Sequence, residues 1–195
     1  MQLIGTVTRL QIQRDRLKEG KIPNRVYRTT PLMQVDTLKL TPRGVFGLQM
    51  DGAELIDVHH IDHPNSRNRK NANGLSFNFT SHYVAMQLRF GKHFRAGDAG
   101  ENIMIAAMNA VPLAELGSHL IIENASTKQH TRLDNLMIAE PCAEFSYYCA
   151  KERITGERLK EVLKFLSFGM RGYYATFNGD ENPIIHEGDR VYAVH

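Results

Sequence analysis

The sequence predicts a mainly β fold, barrel-like and carrying helical insertions. Three observations predict it. Turn signals recur at short intervals, at Pro42-Arg43-Gly44, Asp51-Gly52, Asn73-Gly74, Gly97-Asp98, Asn178-Gly179 and Gly188-Asp189, where small and polar residues accept the backbone angles that tight turns need. Between them lie short runs rich in Val, Ile, Leu, Tyr and Thr, the side chains that fit a pleated surface. Only two stretches carry helical periodicity, and a strand-rich chain with few helices hides its sheet edges by curling into a barrel. There is no repeat, low-complexity tract or linker, so residues 1–195 read as one domain.

Taken in order, Ile4 to Leu10 is the first expected strand. Ser81 to Phe90 is the shorter helix, with Thr80 or Ser81 as its cap and Gly91 ending it. Leu120 to Glu123 and Leu136 to Ala139 read as strands. Glu157 to Phe168 is the clearer helix, because Leu159, Val162, Leu163 and Leu166 fall on one face at the i, i+3, i+4, i+7 spacing. Thr155 stands where a cap belongs and Gly169 where the helix would stop. Gly172 to Phe177 and Arg190 to Val194 complete the strands, with Asn178-Gly179 turning the first of them back towards the sheet.

Composition narrows the function. With 195 residues, 42% apolar and 23% charged, the chain can bury one sizeable core and has the balance of a soluble globular domain. Its two cysteines, Cys142 and Cys149, form no Cys-x-x-Cys pair, and one possible bridge is no disulfide framework. A reducing, cytoplasmic setting follows as the expectation. No secretory signal or membrane-spanning stretch can be drawn, so the sequons at Asn78 and Asn124 read as chance and no membrane partner is expected. A net charge of +3 argues against a nucleic-acid partner and suits an anionic small molecule. Arg67, Arg69 and Lys70 form one basic cluster, and Arg89, Lys92 and Arg95 another; each is either solvated surface or a phosphate contact.

Four groups of residues could carry chemistry. Cys142 follows Glu140-Pro141 at the exit of an apolar run. It is either a small buried apolar side chain or, if exposed near cations, a thiolate able to ligate a soft metal or carry sulfur. The segment Asp57-Val58-His59-His60-Ile61-Asp62-His63 is either a polar loop or the lining of a site; adjacent His59 and His60 point to opposite faces of an extended chain and do not converge on one ion. Glu101 and Asn102 follow a Gly97-Asp98-Ala99-Gly100 turn. They either tie the loop to a strand or meet a ligand, Asn102 being the stronger candidate for that contact. Arg171 stands before a strand glycine and could lower the Cys142 pKa or hold a phosphate through two bonds.

Five motifs in register resemble the MOSC domain family, the module found at the C-terminus of molybdenum cofactor sulfurases. They are Gly100-Glu101-Asn102-Ile103, Gly117-Ser118-His119-Leu120-Ile121-Ile122, Pro141-Cys142, Arg171-Gly172-Tyr173-Tyr174-Ala175 and Gly188-Asp189-Arg190-Val191, spread over residues 96–195. The N-terminal half departs from that pattern: Gly44-Val45-Phe46-Gly47 is followed by Leu48 where relatives carry aspartate, and the His59-His60 segment stands in place of a His-Gly-Gly motif.

The resemblance implies a stand-alone MOSC-like β-barrel and a molybdenum cofactor (molybdopterin), with Cys142 as metal ligand. Asn102, Arg171, Arg67, Arg69 and Lys70 would contact the cofactor, and His59, His60 and Glu101 would line the site. Reduction of a small N-hydroxylated substrate, fed by an electron-donor protein, is one activity it implies. The other is sulfur carriage, in which Cys142 receives persulfide from a separate desulfurase dependent on pyridoxal phosphate and delivers it to a metal–sulfur centre. The chain holds no desulfurase segment, so the expectation is that pyridoxal phosphate is not bound by this chain.

Overall fold

The computed structural model describes residues 1–68 and 70–195. The long strand β1 (Gln2–Gln13) is followed by the short β2 (Lys18–Glu19), β3 (Val26–Tyr27) and β4 (Leu32–Gln34), then by β5 (Thr37–Thr41), β6 (Gly44–Leu48) and β7 (Glu54–Ile56). Next, β8 (Leu75–Phe79) runs straight into α1 (Thr80–Phe90), and β9 (Ile103–Ala106), β10 (His119–Glu123) and β11 (His130–Ile138) follow. Two helices, α2 (Ala143–Ala150) and α3 (Gly156–Leu166), precede the closing strands β12 (Tyr173–Thr176), β13 (Ile184–His186) and β14 (Arg190–Val194).

Seven strands form a closed ring in the order β14-β10-β11-β12-β8-β9-β1, sealed where β1 pairs with β14. Six of its seven pairings are antiparallel; β8 and β9 run parallel, joined by a crossover that contains α1 and the loop to residue 102. The fold is therefore mainly β, a mixed barrel with three helices. β1 serves three neighbours in turn, β14, β9 and β4, and its register shifts near Gly5 and Thr8. Such bulges bend a strand enough to wrap a barrel. A side sheet in the order β13-β5-β6-β7 packs beside the ring.

Two apolar clusters hold these layers. The larger links ring residues such as Leu10, Phe77, Ile122, Tyr173 and Val191 to Leu38, Leu40 and Val45 of the side sheet. The second joins Tyr83 and Met86 of α1 to Phe145 and Cys149 of α2 and to Val162 and Leu166 of α3. Cys149 is fully buried there and burial pushes its thiol pKa up, so it packs as a neutral apolar side chain.

All five expected strands lie in the ring, β11 being much longer than expected. The helix ends differ. Phe79, not Thr80 or Ser81, holds the N-cap position of α1. Thr80 Oγ1 instead donates to the carbonyl of Ala107 and accepts from its N–H, fastening the helix to the end of β9. Thr155 does stand at the start of α3, without a side-chain cap bond, and that helix ends at Leu166, before Gly169. The unforeseen helix is α2, which begins directly after Cys142. Among the described residues, no helix is long and apolar enough to cross a membrane.

Candidate functional site

A cavity of about 380 Å³ opens beside the ring, between the β2–β3 arm, the loop after β7, and the ends of β8 and β12. That size suits a small-molecule ligand. Among the described residues its wall carries five cations, Arg16, Lys18, Arg25, Arg67 and Arg171, against one carboxylate, Glu101. Some of this charge is already answered, since Arg25 pairs with Glu144 at 2.6 Å and Lys18 lies 3.9 Å from the same carboxylate; Arg16 donates one bond to the Asn65 carbonyl and keeps its charge. Arg67 is exposed at the mouth and has no ion pair among the described residues. The surplus of positive charge favours an anionic ligand.

Glu101 is the buried acid of the wall. Its Oε2 accepts a hydrogen bond from Tyr83 Oη at 2.9 Å, and Tyr83 in turn accepts from the Ala99 N–H. Its other oxygen, Oε1, is buried without a donor. Burial is the main reason its pKa rises to about 7; its own N–H, Tyr83, Arg171 and Arg9 pull the other way without cancelling it. Arg171 shows the complementary lack: its Nε is buried with no acceptor, while Nη2 donates weakly to the Ala99 carbonyl at 3.4 Å. Burial works against the Arg171 charge, but Tyr174, Tyr27 and Cys142 hold its pKa above the ordinary guanidinium value.

The chain presents Arg171 to the cavity through the glycine behind it. Gly172 has φ +111°, and a Cβ there would meet the Phe77 carbonyl oxygen at 2.8 Å. Only glycine lets the chain enter β12 this close to β8.

A second polar construction stands behind the wall at His59. Asp57 is completely buried, and its carboxylate gathers four donors. Oδ2 accepts from the Gln13 N–H at 2.7 Å and from Asn102 Nδ2 at 3.0 Å, while Oδ1 accepts from the His59 N–H at 2.8 Å and meets His59 Nδ1 at 3.0 Å. Burial would raise its pKa, yet the His59 ring and the backbone N–H groups outweigh that and hold Asp57 ionised. His59 itself lines the cavity.

The expected site residues separate into two sets. Arg171, Arg67, Glu101 and His59 come together in the wall. His60 does not: it is buried on the other side of the strand end, packed on Phe46 with ring centroids 4.6 Å apart, and its Nδ1 accepts from the Asp62 N–H. Nor does Asn102 line the wall. Its Oδ1 accepts from the Ser76 N–H and hydroxyl, and its Nδ2 donates to the Gln11 carbonyl and to Asp57, so every polar atom is committed to the loop–strand tie. Lys70 is exposed and stands outside the wall. Arg69 lies outside the described residues.

Cys142 is half-buried at the N-cap position of α2 and is not part of the cavity wall. Its side chain lies against Glu144, helping to keep that carboxylate ionised, and falls within electrostatic reach of Arg171 and Tyr27. It is therefore a neighbour of the cavity through Arg171. Both cysteines are free thiols. Asp57 and Tyr83 escaped the sequence reading. The Asp57-x-His59 spacing was the available signal for the first; nothing in the sequence singled out the second.

The fold is similar to that of the YuaD protein from Bacillus subtilis, with a TM-score of 0.52 at 13% identity over 95% of this chain and 96% of that one. It is also similar to YiiM from Geobacillus stearothermophilus, with a TM-score of 0.50 at 12% identity over 100% of this chain and 75% of that one. At such identities the likeness is one of fold. No family model and no curated protein matches the sequence.

Proposed function

We propose that this barrel binds an anionic heterocycle of the pterin type, the organic part of a molybdenum cofactor, in the cation-lined cavity. The observation that carries the reading is the unpartnered Glu101 Oε1 in a wall otherwise rich in positive charge. A buried acceptor without a donor is costly unless a ligand supplies one. A pterin offers an N–H edge for Glu101 and a phosphate tail for Arg67 and Arg16, so the residues fit that part of the group. Arg171 would take an oxygen or ring nitrogen with its free Nε. The thiol is the part that fits least, because Cys142 is not in the wall and is linked to it only by its electrostatic effect on Arg171. When bound, the cofactor would supply two-electron redox chemistry at molybdenum, which suits reduction of N-hydroxylated compounds.

The test is molybdenum and released-pterin content per chain, in protein purified without oxygen from a host that makes the cofactor. Near-stoichiometric pterin, reduced in Glu101→Ala and Arg67→Ala proteins, supports the reading. Absence of both metal and pterin overturns it. A Cys142→Ala protein reports separately on the metal: loss of molybdenum with pterin retained assigns the sulfur as its ligand.

Sulfur carriage by Cys142 is the second reading, and the position of the thiol favours it. It sits half-buried at the start of α2, outside the cavity wall and within electrostatic reach of Arg171, where a partner protein can meet it without entering the cavity. Incubation with a cysteine desulfurase and cysteine should add the mass of one sulfur to the Cys142 peptide. An unchanged mass would remove this reading.

A further inference from the structure

The Asp57–His59 pair has a geometry that a loop tie alone does not require. Asp57 is pinned from three sides, by the Gln13 N–H of β1, by the Asn102 amide and by the His59 N–H. These three groups can only donate, so the carboxylate they surround is the acceptor in every bond it makes. The proton shared with the His59 ring therefore belongs to Nδ1, and the tautomer is fixed by the network behind it. The ring's other nitrogen, Nε2, is then a lone-pair acceptor. It has no hydrogen-bond partner among the described residues and is not shut away from solvent, on a residue that lines the cavity. Its side chain is 19% exposed, against 0% for Asp57.

We propose that Asp57 and His59 form a dyad in which Asp57 is the positioning residue and His59 Nε2 is the proton-accepting atom of the cavity, serving a ligand that carries an N–H or O–H group. The transfer balances within the site. The ligand's X–H bond breaks, its electron pair stays on X, and the proton forms the Nε2–H bond of an imidazolium. Asp57 stays ionised and stabilises that cation, while Arg171 and Arg67 face the negative charge left on the ligand. A second feature points to the same ligand class: Glu101 lines the same cavity, and its Oε1 lacks a donor. The inference concerns the cavity and does not require the ligand to be a pterin.

The experiment is done on the full chain without ligand. Long-range nitrogen–proton correlation spectra at pH 8, assigned with a His59→Gln protein, report which ring nitrogen bears the proton. Acylation by diethyl pyrocarbonate, mapped by mass spectrometry, reports whether the other is open. The expected result is an Nδ1–H ring in the parent, acylated at His59. In Asp57→Asn an amide N–H in place of the carboxylate oxygen reverses the tautomer, and acylation slows by at least about tenfold. An Nε2–H tautomer in the parent overturns the proposal, and so does an unchanged rate in a folded Asp57→Asn protein. If that variant does not fold, the parent's tautomer and acylation decide the matter. Neither readout uses a pterin, so this result and the cofactor content stand or fall separately.

Discussion

Tyr83 Oη donates to one oxygen of Glu101 at 2.9 Å and leaves the other oxygen of that carboxyl buried without a donor. A proton taken up by Glu101 therefore resides on Oε1, the oxygen that Tyr83 leaves free. With the pKa raised by burial from 4.5 to about 7, folding binds a proton on this group throughout that interval. Stability from Glu101 is fully present below pH 4.5, falls as pH rises towards 7 and is level above it. Glu101→Gln should remove the dependence and stabilise the protein at pH 8 by on the order of 2–3 kcal/mol. Urea unfolding of both proteins from pH 5 to 8.5 measures it; parallel curves would show that Glu101 does not titrate in this window.

Asn102 should behave as a structural residue. Asn102→Ala removes partners from Ser76, Gln11 and Asp57 in the buried interior, and the expected loss is about 2–4 kcal/mol of unfolding free energy. A variant as stable as the parent but defective in ligand binding would return Asn102 to the list of ligand contacts.

Gly172→Ala should be poorly tolerated. The backbone lies at φ +111°, and the added Cβ meets a carbonyl oxygen of β8, which cannot rotate away. The expected destabilisation is about 2–3 kcal/mol from the backbone angle alone, with displacement of Arg171 in addition. Thermal unfolding checks the first, and pterin content the second.

Arg67 and His60 should separate binding from packing. Arg67→Ala leaves stability near the parent value and weakens inorganic phosphate binding roughly tenfold, read by calorimetry. His60→Ala gives up the contact with Phe46 and should cost about 1–3 kcal/mol of stability while leaving phosphate affinity unchanged. The reverse pattern would move the site to the far side of the β7 loop.

The fold was legible wherever one residue pattern decided the local structure. Arg190 to Val194 and the apolar face of α3 show this, since their apolar spacing is also their burial. β8 was missed although Leu75, Phe77 and Phe79 alternate with Ser76 and Asn78, because all five residues are buried and the sequence beyond continues into α1. β9 is a continuous apolar run whose period tells strand from helix no better than chance, and its parallel pairing with β8 is a long-range fact. In the site, charge type was readable and direction was not. Arg171 and Glu101 were candidates as ionisable residues near motifs; that Glu101 meets the cavity and Asn102 does not depends on Ser76, Gln11 and Asp57, all distant in sequence.

The seam between β1 and β14 pairs Gln2 with Ala193 and Thr6 with Arg190. During synthesis the first strand leaves the ribosome long before its partner exists. Its β14-facing edge stays open, with unpaired N–H and C=O groups, until Arg190–Val194 has been made. Closure of the ring thus waits on the last of its seven strands, and until then the nascent barrel carries an exposed strand edge of the kind that chaperones cover. A substitution that weakens β14 would therefore show first as lost yield in the cell, before any loss measured on the protein that does fold.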